Sequence, residues 1–256
     1  MLTATLSKSF SPAQAVRRVA ERELTRSHLG NTVPQAPPKV EEEEPISTFW
    51  RALVAGELLV LETFTLERFC CALAEERDVS AEPRRALTER ELILVHRALQ
   101  SETQKVLAAG FDLSVPAVSQ LLSGALRKMG MRCRVGSTPL PLVLTVLRYA
   151  HTIQLPRTEL VRFEHEGRRY VALGLPALDI GALPGLSQAE REVARLTAIG
   201  QSPAEVAEQR GTAPCTVTNQ LASLHRKLGV RGRFELIRRW AWFQWGGASV
   251  GGASVA

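Results

Sequence analysis

An internal repeat constrains this chain more than any other feature of its sequence. Displaced by 99 positions, residues 87–131 fall on residues 186–230 without a gap, and eight of these 45 positions are identical. The matches are Leu87/Leu186, Glu91/Glu190, Ala108/Ala207, Val118/Val217, Leu122/Leu221, Arg127/Arg226, Lys128/Lys227 and Gly130/Gly229. They fall on helix caps, core positions and a helix stop. Self-similarity at a fixed period marks one supersecondary unit used twice.

Each copy opens on a capping box, Thr88-x-x-Glu91 and Ser187-x-x-Glu190, in which hydroxyl and carboxylate satisfy each other's orphan amides. The second copy then has Gly200 as a stop and Ser202-Pro203-Ala204-Glu205 as a second start. This predicts a short helix over about residues 203–209, with Val206 and Ala207 facing inward. A turn at Gly211 leads to Pro214, and a third helix runs to Leu228 and stops at Gly229. Val217, Leu221, Leu224 and Leu228 share one of its faces. A short helix, a tight turn and a longer helix with a basic end is the outline of a helix-turn-helix.

A fourth helix is expected after each copy, striped by Leu142, Val143, Val146, Leu147 and Ala150 in the first and by Leu236, Ile237, Trp240 and Phe243 in the second. The second stripe suits a core or a dimer or partner interface, and the tryptophans Trp240, Trp242 and Trp245 favour some contact. Residues 159–173 alternate around His165-Glu166-Gly167-Arg168 and read as a β-hairpin. Residues 57–73 are the counterpart, with Arg68-Phe69 echoing Arg169-Tyr170; lacking a turn glycine, this stretch suits a helix equally well.

The expected fold is therefore mainly α, with tandem four-helix units each preceded by a short β-hairpin-like element. Residues 1–45 hold three prolines between Asn31 and Lys39 and the acidic run Glu41–Glu44, and read as a disordered segment with a linker. Then follow a β-prone element at 46–86, the first unit at 87–150, a hairpin and linker at 151–185, the second unit at 186–245 and a Gly/Ser-rich tail at 246–256. The tail contains Gly247-Ala248-Ser249-Val250-Gly251, nominally a nucleophile elbow, but neither the strand nor the helix that motif requires flanks it.

The net charge of +6 is unevenly spread. Residues 41–91 carry a net −7, whereas residues 127–148 and 226–239 each carry +5. Two basic clusters about a hundred residues apart suit two surfaces that face a polyanion. No run approaches the ~18 apolar residues of a membrane span, no compact apolar core marks a secretion signal near the start, and the four cysteines lack metal or disulfide spacing. A cytoplasmic protein that touches no membrane, is not an enzyme and needs no cofactor or metal is the expectation.

Taken together, Leu186-Ser187-x-x-Glu190, Gly200-x-Ser202, Val206-Ala207, Thr216-Val217-x-x-x-Leu221, Arg226-Lys227-Leu228-Gly229-Val230 and Arg233-x-Glu235-Leu236 resemble the LuxR/NarL-type helix-turn-helix domain over about 55 residues. The first copy resembles a diverged member through Thr88-x-x-Glu91, Leu107-Ala108, Leu113-Ser114, Val118-x-x-x-Leu122 and Arg127-Lys128-Met129-Gly130. In that family the third helix enters the major groove, the fourth mediates dimer contacts, and most members control transcription. Several residues depart from the family pattern. Arg210 and Thr212 stand at usually apolar turn positions, Ala213 replaces a capping Ser, and Thr218 stands where many members carry Lys. In the first copy, residues 101–106 lack the Gly and Ser-Pro signals, and Gly124 lies inside the third helix.

The resemblance implies a DNA-binding transcriptional regulator whose base contacts come from Thr216, Thr218 and Asn219, with Ser119 and Gln120 as counterparts. Phosphate contacts are expected from Arg226, Lys227, Arg231 and Arg233, and from Arg127, Lys128, Arg132 and Arg134. Double-stranded DNA is the implied partner, with RNA polymerase or another regulator beside it, bound by a single-chain pseudo-dimer or a homodimer. The rival expectation is an interaction protein, a degenerate pair of such units that binds another regulator without DNA.

Overall fold

The computed structural model describes residues 45–66, 69–77, 86–131, 135–156 and 158–246. The expected N-terminal segment, the Gly/Ser tail from residue 247, Arg132 and Arg134 lie outside the described residues. The first half comprises α1 (Pro45–Ala55), β1 (Leu58–Leu66), β2 (Phe69–Glu76), α2 (Glu89–Leu99), α3 (Gln104–Gly110), α4 (Val115–Lys128) and α5 (Leu140–Tyr149). The second comprises β3 (Glu159–His165), β4 (Arg168–Pro176), α6 (Gln188–Ala198), α7 (Pro203–Arg210), α8 (Pro214–Leu228) and α9 (Arg233–Trp245).

Helix α1 corrects the expectation that residues 46–86 are only β-prone. Ile46, Phe49, Trp50 and Leu53 follow the i, i+3, i+4, i+7 spacing of a buried helical stripe, and all four are buried. The ambiguous stretch after it forms a hairpin, β1 with β2. Both hairpins keep the 99-residue displacement: β1 ends at Leu66 and β3 at His165, while β2 begins at Phe69 and β4 at Arg168. Phe69 therefore corresponds to Arg168, not to Tyr170 as the local echo suggested.

The hairpins are not separate appendages. They join edge to edge through β2 and β4 into one antiparallel sheet ordered β1-β2-β4-β3. Along the central pair, Ala72 opposes Leu173 and Ala74 opposes Val171. Their alternation directs Cys70, Ala72, Ala74, Val171, Leu173 and Leu175 into the main core, against α1 and α5. The opposite face holds a smaller cluster in which Phe163 stacks on Tyr170 at 5.6 Å, beside Cys71, Leu73, Val161 and Ala172. The fold is thus mixed, helices built around a small sheet, rather than mainly α with isolated β elements.

The helices after each hairpin keep the same displacement. Glu89 and Gln188, Gln104 and Pro203, and Val115 and Pro214 begin paired helices. Backbone strain keeps it too: Ser101 has φ 86° where Gly200 has 105°, and Asp112 has 52° where Gly211 has 62°. The first half thus holds two left-handed turns without glycine, a conformation that costs L residues roughly 1 kcal/mol. Thr103 compensates in part by capping α3 through the Val106 amide, a start signal absent from the expected pattern. Helix α5 closes the first three-helix group against α2 and also covers the sheet beside α1.

Candidate nucleic-acid interface

Helix α6 begins with the expected capping box, Ser187 accepting from the Glu190 amide while Glu190 accepts from the Ser187 amide at 2.8 Å. The same carboxylate reaches across to α8, accepting from Ser223 Oγ at 2.8 Å and from Lys227 Nζ at 2.7 Å. With three donors around it, led by Lys227, the Glu190 carboxyl is held down at about 2. Glu190 is therefore both a cap and the peg that sets how α8 lies on α6.

Helix α7 is short, capped by Ser202 and Glu205 and ended by Gly211 in the left-handed region. Val206 and Ala207 pack with Val193, Leu196 and Val217 in a small core between α6, α7 and α8. Arg210, at an unusual turn position, donates to Gln220 Oε1 at 2.6 Å and so ties the turn to α8. Ala213 offers no side-chain cap, and Pro214 at the first turn removes one of the amides that would need it.

Burying Val217, Leu224 and Leu228 turns the opposite side of α8 outward. Thr216, Thr218 and Asn219 are all exposed there, beside exposed Cys215. The Thr218 hydroxyl donates back to the Pro214 carbonyl at 3.0 Å, which leaves its oxygen as an acceptor. No acidic residue lies in α8, and Arg226 and Arg231 are exposed near its end. Three polar side chains near the start of α8, one cation near its end and one just beyond it are thus exposed to solvent.

Two other expected phosphate contacts of this unit have partners within the chain. Lys227 is paired with Glu190. Arg233 donates to the carbonyls of Thr197 at 2.9 Å and Ala198 at 2.8 Å at the end of α6, and to those of Gly136 at 3.2 Å and Thr138 at 2.5 Å before α5. It is a rivet between the two halves of the chain. A guanidinium suits this task because its planar fork presents several donors at once.

The first half has the same arrangement in outline. Thr88 and Glu91 form a capping box, and Lys128 Nζ lies 2.7 Å from Glu91, separated along the chain by the same 37 residues as Lys227 and Glu190. Ser114 caps α4 through the Ala117 amide. Gln120 and Arg127 are exposed, and Ser119 is half-buried. Lys128, like Lys227, is engaged with a carboxylate.

The α9 stripe, expected as core or as a dimer or partner interface, is mostly core. Leu236, Ile237 and Trp240 are at most 1% exposed, inside the chain's own core, and Phe243 packs against its edge. Trp240 Nε1 also donates to the Asp179 carbonyl at 2.7 Å, and Gln244 bonds both the Asp179 amide and the Ala177 carbonyl. The segment between sheet and α6 therefore occupies the stripe a second chain would need. Trp242, at 48% exposure, is the large apolar side chain that α9 leaves outside.

No group of three or more His, Cys, Asp or Glu is placed to hold a metal among the described residues, and no single helix there is long and apolar enough to cross a membrane. Residues 184–240 match the family model for bacterial regulatory proteins of the luxR family, so a LuxR-family helix-turn-helix domain occupies this part of the chain. No curated protein matches the chain.

Proposed function

We propose that this protein is a transcriptional regulator that binds duplex DNA through α8, acting in the cytoplasm and in contact with RNA polymerase or another regulator. The observation that carries this reading is the two-sidedness of α8. Its inner side is fixed by Val217, Leu224, Leu228 and the Glu190–Lys227 pair, while Thr216, Thr218 and Asn219 stand exposed and free of acidic neighbours on α8. An Asn amide at the start of such a helix pairs bidentately with adenine, and hydroxyls bond bases or phosphates. Arg226 and Arg231, exposed at the far end, supply the phosphate contacts that set orientation.

The test is selection of bound fragments from random genomic DNA at two salt concentrations, followed by Asn219→Ala. Affinity should fall steeply with salt, and the variant should relax preference at one base position by about 1–3 kcal/mol. Retention of no DNA at either salt overturns the reading. One observation favours a second reading, a protein partner without DNA: exposed Trp242, flanked by Phe243 at 5.3 Å and Arg239 at 5.4 Å, is a ready apolar anchor. Binding of that kind would be insensitive to salt and abolished by Trp242→Ala.

A further inference from the structure

Several features outside α8 repeat its design, and they converge on α4. This helix lies outside the matched residues 184–240. We propose that α4 is a second DNA-reading helix, so that one chain, with no second copy, grips an operator made of two unlike half-sites. The proposal rests on the DNA-binding reading of α8 and extends it.

Symmetry is the first argument. In the sheet order β1-β2-β4-β3 the two hairpins meet through antiparallel β2 and β4, the arrangement that a two-fold axis through the central pair produces. Each hairpin leads into three helices whose starts are displaced by 99 residues, with left-handed backbone at the same places. The helices that follow, α5 and α9, pack on each other. These are the relations of a symmetric dimer, here enclosed in one chain.

Rigidity is the second. Residues of both halves share one core cluster, from Leu94, Val118 and Leu122 to Leu224, Leu236 and Trp240. Arg233 bolts the start of α9 to the carbonyls of Gly136 and Thr138 before α5. The two reading helices are therefore held at a set spacing, as helix-turn-helix dimers must hold theirs. The stripe Leu236, Ile237 and Trp240, buried by the chain itself, leaves no such face for another copy.

Chemistry is the third. Like α8, α4 contains no acidic residue and ends in basic ones, Arg127 exposed and Lys128 paired with Glu91. At the 99-residue displacement Gln120 stands for Asn219, Ser119 for Thr218 and Ala117 for Thr216. Gln and Asn both pair with adenine, whereas an Ala methyl and a Thr hydroxyl read different features. Two half-sites with an adenine in common and unlike neighbours follow.

The experiment uses the full chain and a minimal duplex selected from a random library. Complex mass by light scattering should show one chain per duplex, with a footprint in two parts about one helical turn apart. Gln120→Ala should lower preference roughly five- to hundred-fold at a base in one part, and Asn219→Ala at a base in the other. Both side chains are exposed, and unchanged thermal unfolding checks that each variant is folded. A silent Gln120→Ala beside an effective Asn219→Ala overturns the role of α4 and leaves that of α8 standing. Two chains on a palindrome also overturn the proposal, whereas loss of all sequence preference in the parent chain overturns both readings.

Discussion

Arg226 and Lys227 are adjacent, carry the same charge and end the same helix, yet the structure gives them different surroundings. Arg226 is exposed, whereas Lys227 lies 2.7 Å from a carboxylate whose side chain is only 8% exposed. Counterion release predicts that Arg226→Ala flattens the plot of log affinity against log salt by about 0.9, one phosphate contact. The pair variant Glu190→Gln with Lys227→Met removes no net charge and should leave that slope unchanged. Its cost falls on stability. Lys227 is 42% exposed, so solvent screens its share, and the ion pair itself is worth about 1 kcal/mol at most. Weakening the bonds to Ser187 and Ser223 adds a comparable amount, for a total of about 1–2 kcal/mol. For a chain of this size that lowers Tm by roughly 2–8 °C, while Arg226→Ala should stay within about 0.5 kcal/mol of the parent. Fluorescence anisotropy on a selected duplex, titrated at five salt concentrations, and calorimetry of the free protein separate the two effects. A flattened slope in the pair variant with an unchanged Tm would refute the assignment of Lys227 to the fold.

Acid should act through the same carboxylate. Glu190 is held at about 2 against an ordinary 4.5, so its stabilisation is complete above about 4.5 and is lost as pH falls towards 2. Tm measured across that window should fall, and less steeply in Glu190→Gln. Gly130 and Gly229 follow the ends of α4 and α8 but differ in surroundings. A Cβ on Gly130 (φ 89°) would sit 2.3 Å from the Val60 carbonyl oxygen, whereas one on Gly229 (φ 63°) meets open space. Urea unfolding should show Gly130→Ala costing about 3 kcal/mol or more and Gly229→Ala about 1. Gly124 meets nothing within 4 Å at its Cβ position, so Gly124→Ala should stabilise α4 by about 0.5–1 kcal/mol in the same assay. Cys215 is exposed beside the proposed base contacts, while burial pushes the Cys71 thiol up to about 12 and the Cys70 thiol higher still. Iodoacetamide should therefore modify Cys215 ahead of both, and bound DNA should protect it; equal labelling with and without DNA would place the duplex elsewhere.

What the amino-acid sequence determined by itself is local. Capping boxes at Thr88 and Ser187, the Ser-Pro start at Ser202, the stops at Gly211 and Gly229 and the inward faces of α4 and α8 all depend on residues one to four places apart. Short-range sterics and hydrogen bonds decide such features before any tertiary contact forms. Helix α1 is equally local, since Ile46, Phe49, Trp50 and Leu53 carry the helical period. Only the tertiary structure decided the partner of Lys227, 37 residues away, the carbonyls that hold Arg233, up to 97 residues away, and the burial of Leu236, Ile237 and Trp240. It also decided that two hairpins a hundred residues apart make one sheet. A basic or apolar side chain has the same local signature whether it meets solvent, DNA or its own core. Which of these it meets is set by the long-range docking of elements, and no spacing along the chain records that.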